Sequence, residues 1–324
     1  MTLQSSNDTL ITIFGGSGFL GRHLVRALAK RHYRIRVAVR RPDLAGHLQP
    51  LGRVGQIHAV QANVRNSQSV EAAVRDADIV INLVGIMVQR GRQRFDTVQT
   101  FGAEQIALAA AAHGASMIHV SALGADENSP SAYARSKAMG EKAVLAARPA
   151  AVIVRPSTMF GPEDTFFNRF AALARMAPVL PLIGGGEQRF QPVFVGDVAE
   201  AIARAVDGEA QAGQTYEAGG PEVMTLKQIF EYVLETIQRK RLLAPVPFGL
   251  MKFQARFLQY LPKPPLTPDQ VELLRADCVV SEQAEREKMT LRGLGIEPTA
   301  IEAIVPSYLW RFRKTGQFKT GRFA

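Results

Sequence analysis

The chain has 324 residues, 47% of them hydrophobic and 21% charged, a globular balance that excludes long disorder and allows one large α/β unit with an appended subdomain. Its single cysteine, Cys278, excludes an intrachain disulfide and fits a reducing compartment. A formal net charge of +10 suits an anionic membrane surface, an acidic protein partner or nucleic acid, unless arginines merely decorate solvated faces.

Residues 1–10 are polar and carry no basic segment followed by an apolar one, so no secretory signal is expected. Residues 10–14 are a short apolar run stopped by Gly15-Gly16, which predicts a buried parallel strand. A helix over 19–32 follows, with Leu20, Leu24, Ala27 and Leu28 at helical spacing. Strands are predicted at 35–39, 56–62 and 79–84, with a short helix at 70–74. The longest apolar run, 79–88, is broken by Asn82 and falls far short of the ~20 residues of a membrane helix. A cytoplasmic protein is expected, at most peripheral on the cytoplasmic face of the inner membrane.

An alanine-rich helix at 105–113, a strand at 116–121, a helix at 133–147 and a strand at 151–154 complete the alternation. Strands apolar enough to be covered on both faces, alternating with helices, predict an α/β fold with a Rossmann-type doubly wound parallel sheet. Past Arg155-Pro156 the rhythm loosens. Helices are expected at 166–176, at 197–206 with Asp197 as cap, and at 226–238 with Thr225 as cap. Strands are expected at 191–195 and 215–218, and a proline-broken basic stretch runs over 239–268. A dinucleotide-binding domain over 1–155 and a smaller C-terminal α/β subdomain over 156–324, with a basic tail, are therefore expected.

The sharpest motif is Gly15-Gly16-Ser17-Gly18-Phe19-Leu20-Gly21, set between a predicted strand and a predicted helix. Glycines at 15, 18 and 21 allow a tight turn, close approach of backbone to a pyrophosphate, and close helix–strand packing. The helix N-terminus offers free N–H groups and partial positive charge to the phosphates. About 20 residues further on, an acidic residue would hold the ribose hydroxyls of NAD. The second strand instead ends in Val39-Arg40-Arg41-Pro42. Guanidinium groups there suit a 2′-phosphate, so the sequence favours NADP(H) over NAD(H). Asn63 and Val64, then Val84 and Gly85, end the third and fourth strands, where ligands of such sheets lie.

Ser121 ends the fifth strand, and Tyr133 and Lys137 lie four apart on one helix face. An ammonium beside a phenol favours the phenolate, and the serine hydroxyl could hold a carbonyl oxygen. The six histidines are scattered and no cysteine cluster exists, so no metal site is expected. His119, inside the fifth strand, reads as a satisfied strand residue.

The glycine turn, Ser121 and Tyr133-x-x-x-Lys137 together resemble the extended short-chain dehydrogenase/reductase superfamily. The resemblance implies that Tyr133 is a general acid/base, that Lys137 also binds the nicotinamide ribose, and that Ser121 orients substrate. Arg155-Pro156-Ser157 resembles the family's segment beside the nicotinamide, which brings Pro156 to the cofactor. Asn63 stands where the superfamily usually has Asp, losing a charge and keeping an acceptor. Phe160-Gly161-Pro162-Glu163-Asp164 and the stretch from Phe190 to Val198 are similar to an atypical branch. That branch holds the nucleotide-binding accessory subunit of respiratory complex I and its bacterial relatives, and it implies NADPH kept as a structural ligand. The alternative is an NAD(P)-dependent oxidoreductase or epimerase acting on a carbonyl or secondary alcohol.

Two segments remain. Leu250, Met251, Phe257, Leu258 and Leu261 can share a stripe over 248–261, expected to pack the subdomain core. The end of the chain interleaves Trp310, Phe312, Phe318 and Phe323 with Arg311, Arg313, Lys314, Lys319 and Arg322. That pattern is expected to dock on complex I subunits or on an anionic membrane surface. With no recognised nucleic-acid module beside it, nucleic acid is not expected as a partner.

Overall fold

The computed structural model describes residues 8–316 except Lys263. It divides into two compact units. The first runs to Pro156 and adds Val195–Ala218 and Ser281–Ile296; the second comprises Ser157–Phe194, Gly219–Val280 and the described residues from Glu297 on.

The first unit is built on seven parallel strands: β1 (Leu10–Phe14), β2 (Arg34–Val39), β3 (Ile57–Gln61), β4 (Ile79–Asn82), β5 (Ser116–Val120), β6 (Val152–Pro156) and β7 (Thr215–Ala218). Their order is β7-β6-β5-β4-β1-β2-β3, so the direction of winding reverses beside β1, where β4 is its other neighbour. Such a reversal opens a crevice at the carboxyl ends of the strands. The expected doubly wound parallel sheet is therefore what the chain forms. Helices α1 (Phe19–Lys30), α2 (Ser67–Val74), α3 (Phe101–Ala112) and α4 (Ala132–Ala147) fill the crossovers. Ile11, Ile13, Phe14, Val80, Ile81 and Ile153 are fully buried because a parallel sheet is covered on both faces.

Several boundaries moved for local reasons. Strand β4 stops at Asn82 because the Asn82 Oδ1 accepts the Val84 N–H at 3.0 Å, turning the chain. Helix α2 starts three residues early, capped by Asn66, whose side chain accepts the Ser69 N–H. Helix α3 begins at Phe101 after a wide turn over Asp96–Thr100.

In the second unit, α5 (Phe167–Met176) and α7 (Leu226–Thr236) enclose an aromatic core containing Phe160, Phe167, Phe190 and Phe230. Thr225 caps α7 as expected and forms a reciprocal capping box with Gln228. Asp197 is different. Helix α6 (Val195–Val206), in the first unit, already starts two residues before it, so Asp197 lies in the first turn and not at the cap.

The basic stretch carries order of its own: a strand at Leu242–Val246, paired with Val179–Ile183, then α8 (Phe248–Leu258) and α9 (Pro268–Leu273). The stripe expected to pack the core does so only through Met251, which is buried together with Ala255. Leu250, Phe257 and Leu261 are about half exposed or more, because α8 turns a different face inward. The docking role expected of the tail is corrected in its first part. Phe312 is buried in the second unit's core, the Arg239 Nε–H donates to the Phe312 carbonyl at 2.9 Å, and Arg311 donates to Asn168 Oδ1 at 2.6 Å. That aromatic finds apolar partners within its own unit, so it is not a free docking group. Phe318, Lys319, Arg322 and Phe323 lie outside the described residues.

Candidate functional site

The site is assembled at the carboxyl ends of β1, β2, β4 and β5. Gly15 follows β1 at φ +81°, and a Cβ there would stand 3.3 Å from the Leu83 carbonyl carbon and from the Val84 nitrogen. A Cβ on Gly21 would collide with the Gly16 carbonyl oxygen, a contact no real Cβ tolerates. Both positions need glycine, one for its φ and one for close packing. Helix α1 opens at Gly18 with no side-chain cap and no acidic residue in its first turn. Its amides are thus left to an outside acceptor, and its dipole is not neutralised. Ser17 and Phe19 are half-buried, Gly18 is exposed, and Leu20 points into the core. This cradle, which a Cβ would fill, fits a dinucleotide pyrophosphate.

At the end of β2, Arg40 and Arg41 are both exposed. Arg41 grips Asp43 through two bonds, at 2.8 Å and 3.2 Å, which holds the Asp43 carboxyl below its usual range. Arg40 makes no ion pair among the described residues. Beyond β3, the Asn63 Oδ1 accepts the Arg65 N–H at 3.2 Å, so its oxygen serves the local turn. Val64 and Val84 are half-buried against the core, and Gly85 is exposed.

Ser121 follows β5 directly. It is buried, and its Oγ has no hydrogen-bond partner among the described residues. Lys137 is buried as well, its Nζ donating to the Val120 carbonyl at 3.1 Å. Burial pushes the ammonium down to about 8, opposed by the nearby Glu141 carboxylate. A Cβ on Gly85 would stand 3.4 Å from that Nζ, so the ends of β4 and β5 and the face of α4 converge on Lys137. Tyr133, one turn earlier, packs edge-on against Phe95 with ring centroids 5.8 Å apart. Pro156 is buried at the end of β6, and its carbonyl accepts the Leu123 N–H at 3.0 Å. Arg155 is held in a two-bond grip by Glu141, at 2.9 Å and 2.6 Å, with Glu217 at 3.8 Å.

Two residues buttress this arrangement. Gln99, which no motif marks, is buried; its Oε1 accepts the Ile86 N–H at 3.0 Å and its Nε2 donates to Ser136 Oγ at 2.7 Å. It therefore ties the loop beyond β4 to the helix that carries Tyr133 and Lys137. His119 is fully buried beside Asn82, with 3.1 Å between its Nδ1 and the Asn82 Nδ2. Burial first and the Lys137 charge second push its imidazolium down to about 3, so the ring is neutral. Asn82 donating to Nδ1 then leaves the ring proton on Nε2, which has no partner. His119 is thus a strand residue only half satisfied. Among the described residues no group of three His, Cys, Asp or Glu could hold a metal ion.

A model of the NAD dependent epimerase/dehydratase family matches residues 11–219. The mitochondrial NADH dehydrogenase [ubiquinone] 1 alpha subcomplex subunit 9 of Arabidopsis thaliana is 36% identical over 97% of this chain and 80% of its own length. A ceramide reductase of Caulobacter vibrioides is 41% identical over 193 residues, 60% of this chain and 59% of its own. In fold, the chain is similar to an NADPH-dependent quinone oxidoreductase of Escherichia coli complexed with NADPH. The TM-score is 0.72 at 19% identity, covering 92% of this chain and 99% of that one.

Proposed function

The chain belongs to the NAD dependent epimerase/dehydratase family, in the branch of the alpha subcomplex subunit 9 of NADH dehydrogenase, and from that premise we propose that it is an accessory or assembly subunit of respiratory complex I holding NADP(H) as a structural ligand. The observation that carries this reading is likeness along nearly the whole chain, both units included. The first unit holds the dinucleotide, and the second faces the complex on the cytoplasmic side of the inner membrane.

The cradle formed by Gly15, Ser17, Gly18, Phe19, Leu20 and Gly21 receives the pyrophosphate on backbone amides. Arg40, exposed and without an ion pair among the described residues, is the cation offered to a 2′-phosphate; Arg41 reaches it by releasing Asp43. Asn63, Val64, Val84 and Gly85 line the adenosine side. Lys137, Tyr133 and Pro156 lie toward the nicotinamide. The unpaired Ser121 Oγ and the singly bonded Lys137 Nζ are buried polar atoms with capacity for more partners, which supports a ligand beside them.

A second reading, a reductase of a carbonyl substrate, is favoured by two observations: the complete Ser121, Tyr133 and Lys137 set, and the likeness to a ceramide reductase. A bound nicotinamide would supply hydride in that case. Tyr133 would pass the proton to the carbonyl oxygen, Ser121 would orient that oxygen, and the Lys137 ammonium would ease loss of the phenol proton.

Tyr133→Phe separates the two readings. The subunit reading expects unchanged dinucleotide released on denaturation and unchanged complex I on native gels. The reductase reading expects turnover to fall by about 10²–10⁴-fold, the usual scale for a general acid/base. Deletion that leaves complex I amount and mobility intact would overturn the first.

A further inference from the structure

We infer that the outer face of α8, with the turn that follows it, is a docking surface for an anionic lipid bilayer. Leu250, Phe253, Phe257, Tyr260 and Leu261 are all about half exposed or more, with Phe257 at 65% and Tyr260 at 83%. Their spacing of three or four residues puts them on one stripe. Phe253 and Phe257 pack edge-on at 5.3 Å, so the stripe is a formed surface and not a set of stray side chains. The opposite face is already engaged, since Met251 and Ala255 are buried with Ile183 and Val271 in a small core. Among the described residues the exposed stripe therefore lacks a partner in its own unit.

Charge decides what covers it. Residues 239–268 contain six cations, Arg239, Lys240, Arg241, Lys252, Arg256 and Lys263, and no acidic residue, against a net +10 for the whole chain. The neighbouring helix α9 brings Asp269 and Glu272. Glu272 is shared by two cations, Lys252 at 2.6 Å and Arg275 at 2.9 Å, and Arg275 also lies over the Phe248 ring at 4.5 Å. Arg239 and Arg241 are engaged elsewhere, by the Phe312 and Ala174 carbonyls; on α8, on α9 and just after it the cations Lys252, Arg256 and Arg275 still outnumber Asp269 and Glu272, with Arg256 exposed. An apolar interior under a layer of anionic headgroups answers both features at once, aromatic rings entering the interface and cations meeting phosphate. An 11-residue helix is about 16 Å long, too short to span a bilayer and suited to lying in its plane.

The test is flotation of the full chain with vesicles of phosphatidylcholine alone and of phosphatidylcholine mixed with phosphatidylglycerol. Flotation with the mixed vesicles, weakened by salt and absent with the neutral ones, is expected. The double variant Phe253→Ser/Phe257→Ser should lower binding at least about tenfold, since two rings no longer leave water. Arg256→Glu should lower it as well, whereas Leu44→Ser, an exposed apolar residue of the first unit, should leave it unchanged. Unchanged circular dichroism and NADPH binding would show that the variants stay folded. The inference is overturned if the wild-type chain does not float with anionic vesicles, or if the double variant floats equally well. A salt-insensitive self-association that the double variant abolishes, without flotation, would overturn it in favour of a second copy of the chain.

Discussion

Lys137 in the first unit and Asp164 in the second are both ionisable groups taken out of water, and they are housed in opposite ways. Asp164 is surrounded by donors: Tyr308 Oη at 2.6 Å, the Asn168 N–H at 3.1 Å and the Gly161 N–H at 3.3 Å. Among the described residues Lys137 has a single acceptor, the Val120 carbonyl, and beside it stands a serine hydroxyl with no partner. Burial acts against the charge in both cases, raising the Asp164 carboxyl and lowering the Lys137 ammonium. The difference teaches how to separate a structural buried charge from one kept for chemistry. The structural one has its hydrogen-bonding capacity filled by the fold, and the other leaves capacity open for a ligand.

The comparison breaks most visibly at Asp164. Asp164→Leu strands the Tyr308 hydroxyl and two backbone amides, so the second unit should lose about 3 kcal/mol or more, read by urea denaturation. Asp164→Asn keeps an acceptor for Tyr308 and should cost less. The sign of the pH effect follows from burial. A folded-state carboxyl raised above its unfolded value penalises folding as pH climbs through the interval between the two, so Asp164→Asn should flatten the stability profile just above the ordinary carboxylate range. A harmless Asp164→Leu would mean that the three donors are not what holds this unit.

Lys137→Met should act in the opposite direction on the ligand-free fold. A drop from 10.5 to about 8 corresponds to roughly 3 kcal/mol of penalty on the ammonium, with about 1 kcal/mol returned when the Val120 carbonyl loses its donor. The penalty is complete below pH 8 and fades as pH rises to 10.5, because a depressed folded value means that the folded state binds fewer protons in that window. Lys137→Met should therefore stabilise the protein at pH 7, gain nothing near pH 10.5, and bind dinucleotide more weakly. Destabilisation at pH 7 would show that the ammonium is held by more than one carbonyl.

How much of this was legible in the chain follows from the range of the forces involved. The strand–glycine–helix alternation is local: a five-residue apolar run, a Gly15-x-x-Gly18-x-x-Gly21 turn and a 3.6-residue period announce themselves, and the doubly wound sheet follows from them. Thr225 is readable as a cap for the same reason, since the Gln228 N–H that it accepts lies only three residues on, while the reciprocal bond from Gln228 is added by the structure. Gln99 was not, because its partners Ile86 and Ser136 lie 13 and 37 residues away and nothing in its neighbourhood marks it. The strand β7 was foreseen as a strand, but its place beside β6 depends on pairing across 62 residues, as in Thr215 with Ile153. The buried face of α8 is not legible, because a stripe of apolar residues shows that a helix has two sides without saying which one finds a partner. Phe312 differs from expectation for the converse reason, since an aromatic among cations can still be a core residue when its own unit offers apolar partners.

The smallest effect concerns glycine, and it sharpens the contrast between the units. In the first unit Gly21 cannot accept a Cβ without striking the Gly16 carbonyl. Gly249, the second residue of α8, has nothing within 4 Å of where its Cβ would be, and its φ is not in the left-handed region. Glycine there only enlarges the conformational freedom lost when the helix forms. Gly249→Ala should therefore stabilise the second unit by about 0.5–1 kcal/mol, near the lower figure because the first turn of a helix is less demanding than its interior. Thermal and urea denaturation of the full chain should register the gain, with dinucleotide binding unchanged. A loss of stability in Gly249→Ala would mean that the start of α8 is not helical in solution, and the exposed stripe that depends on its register would go with it.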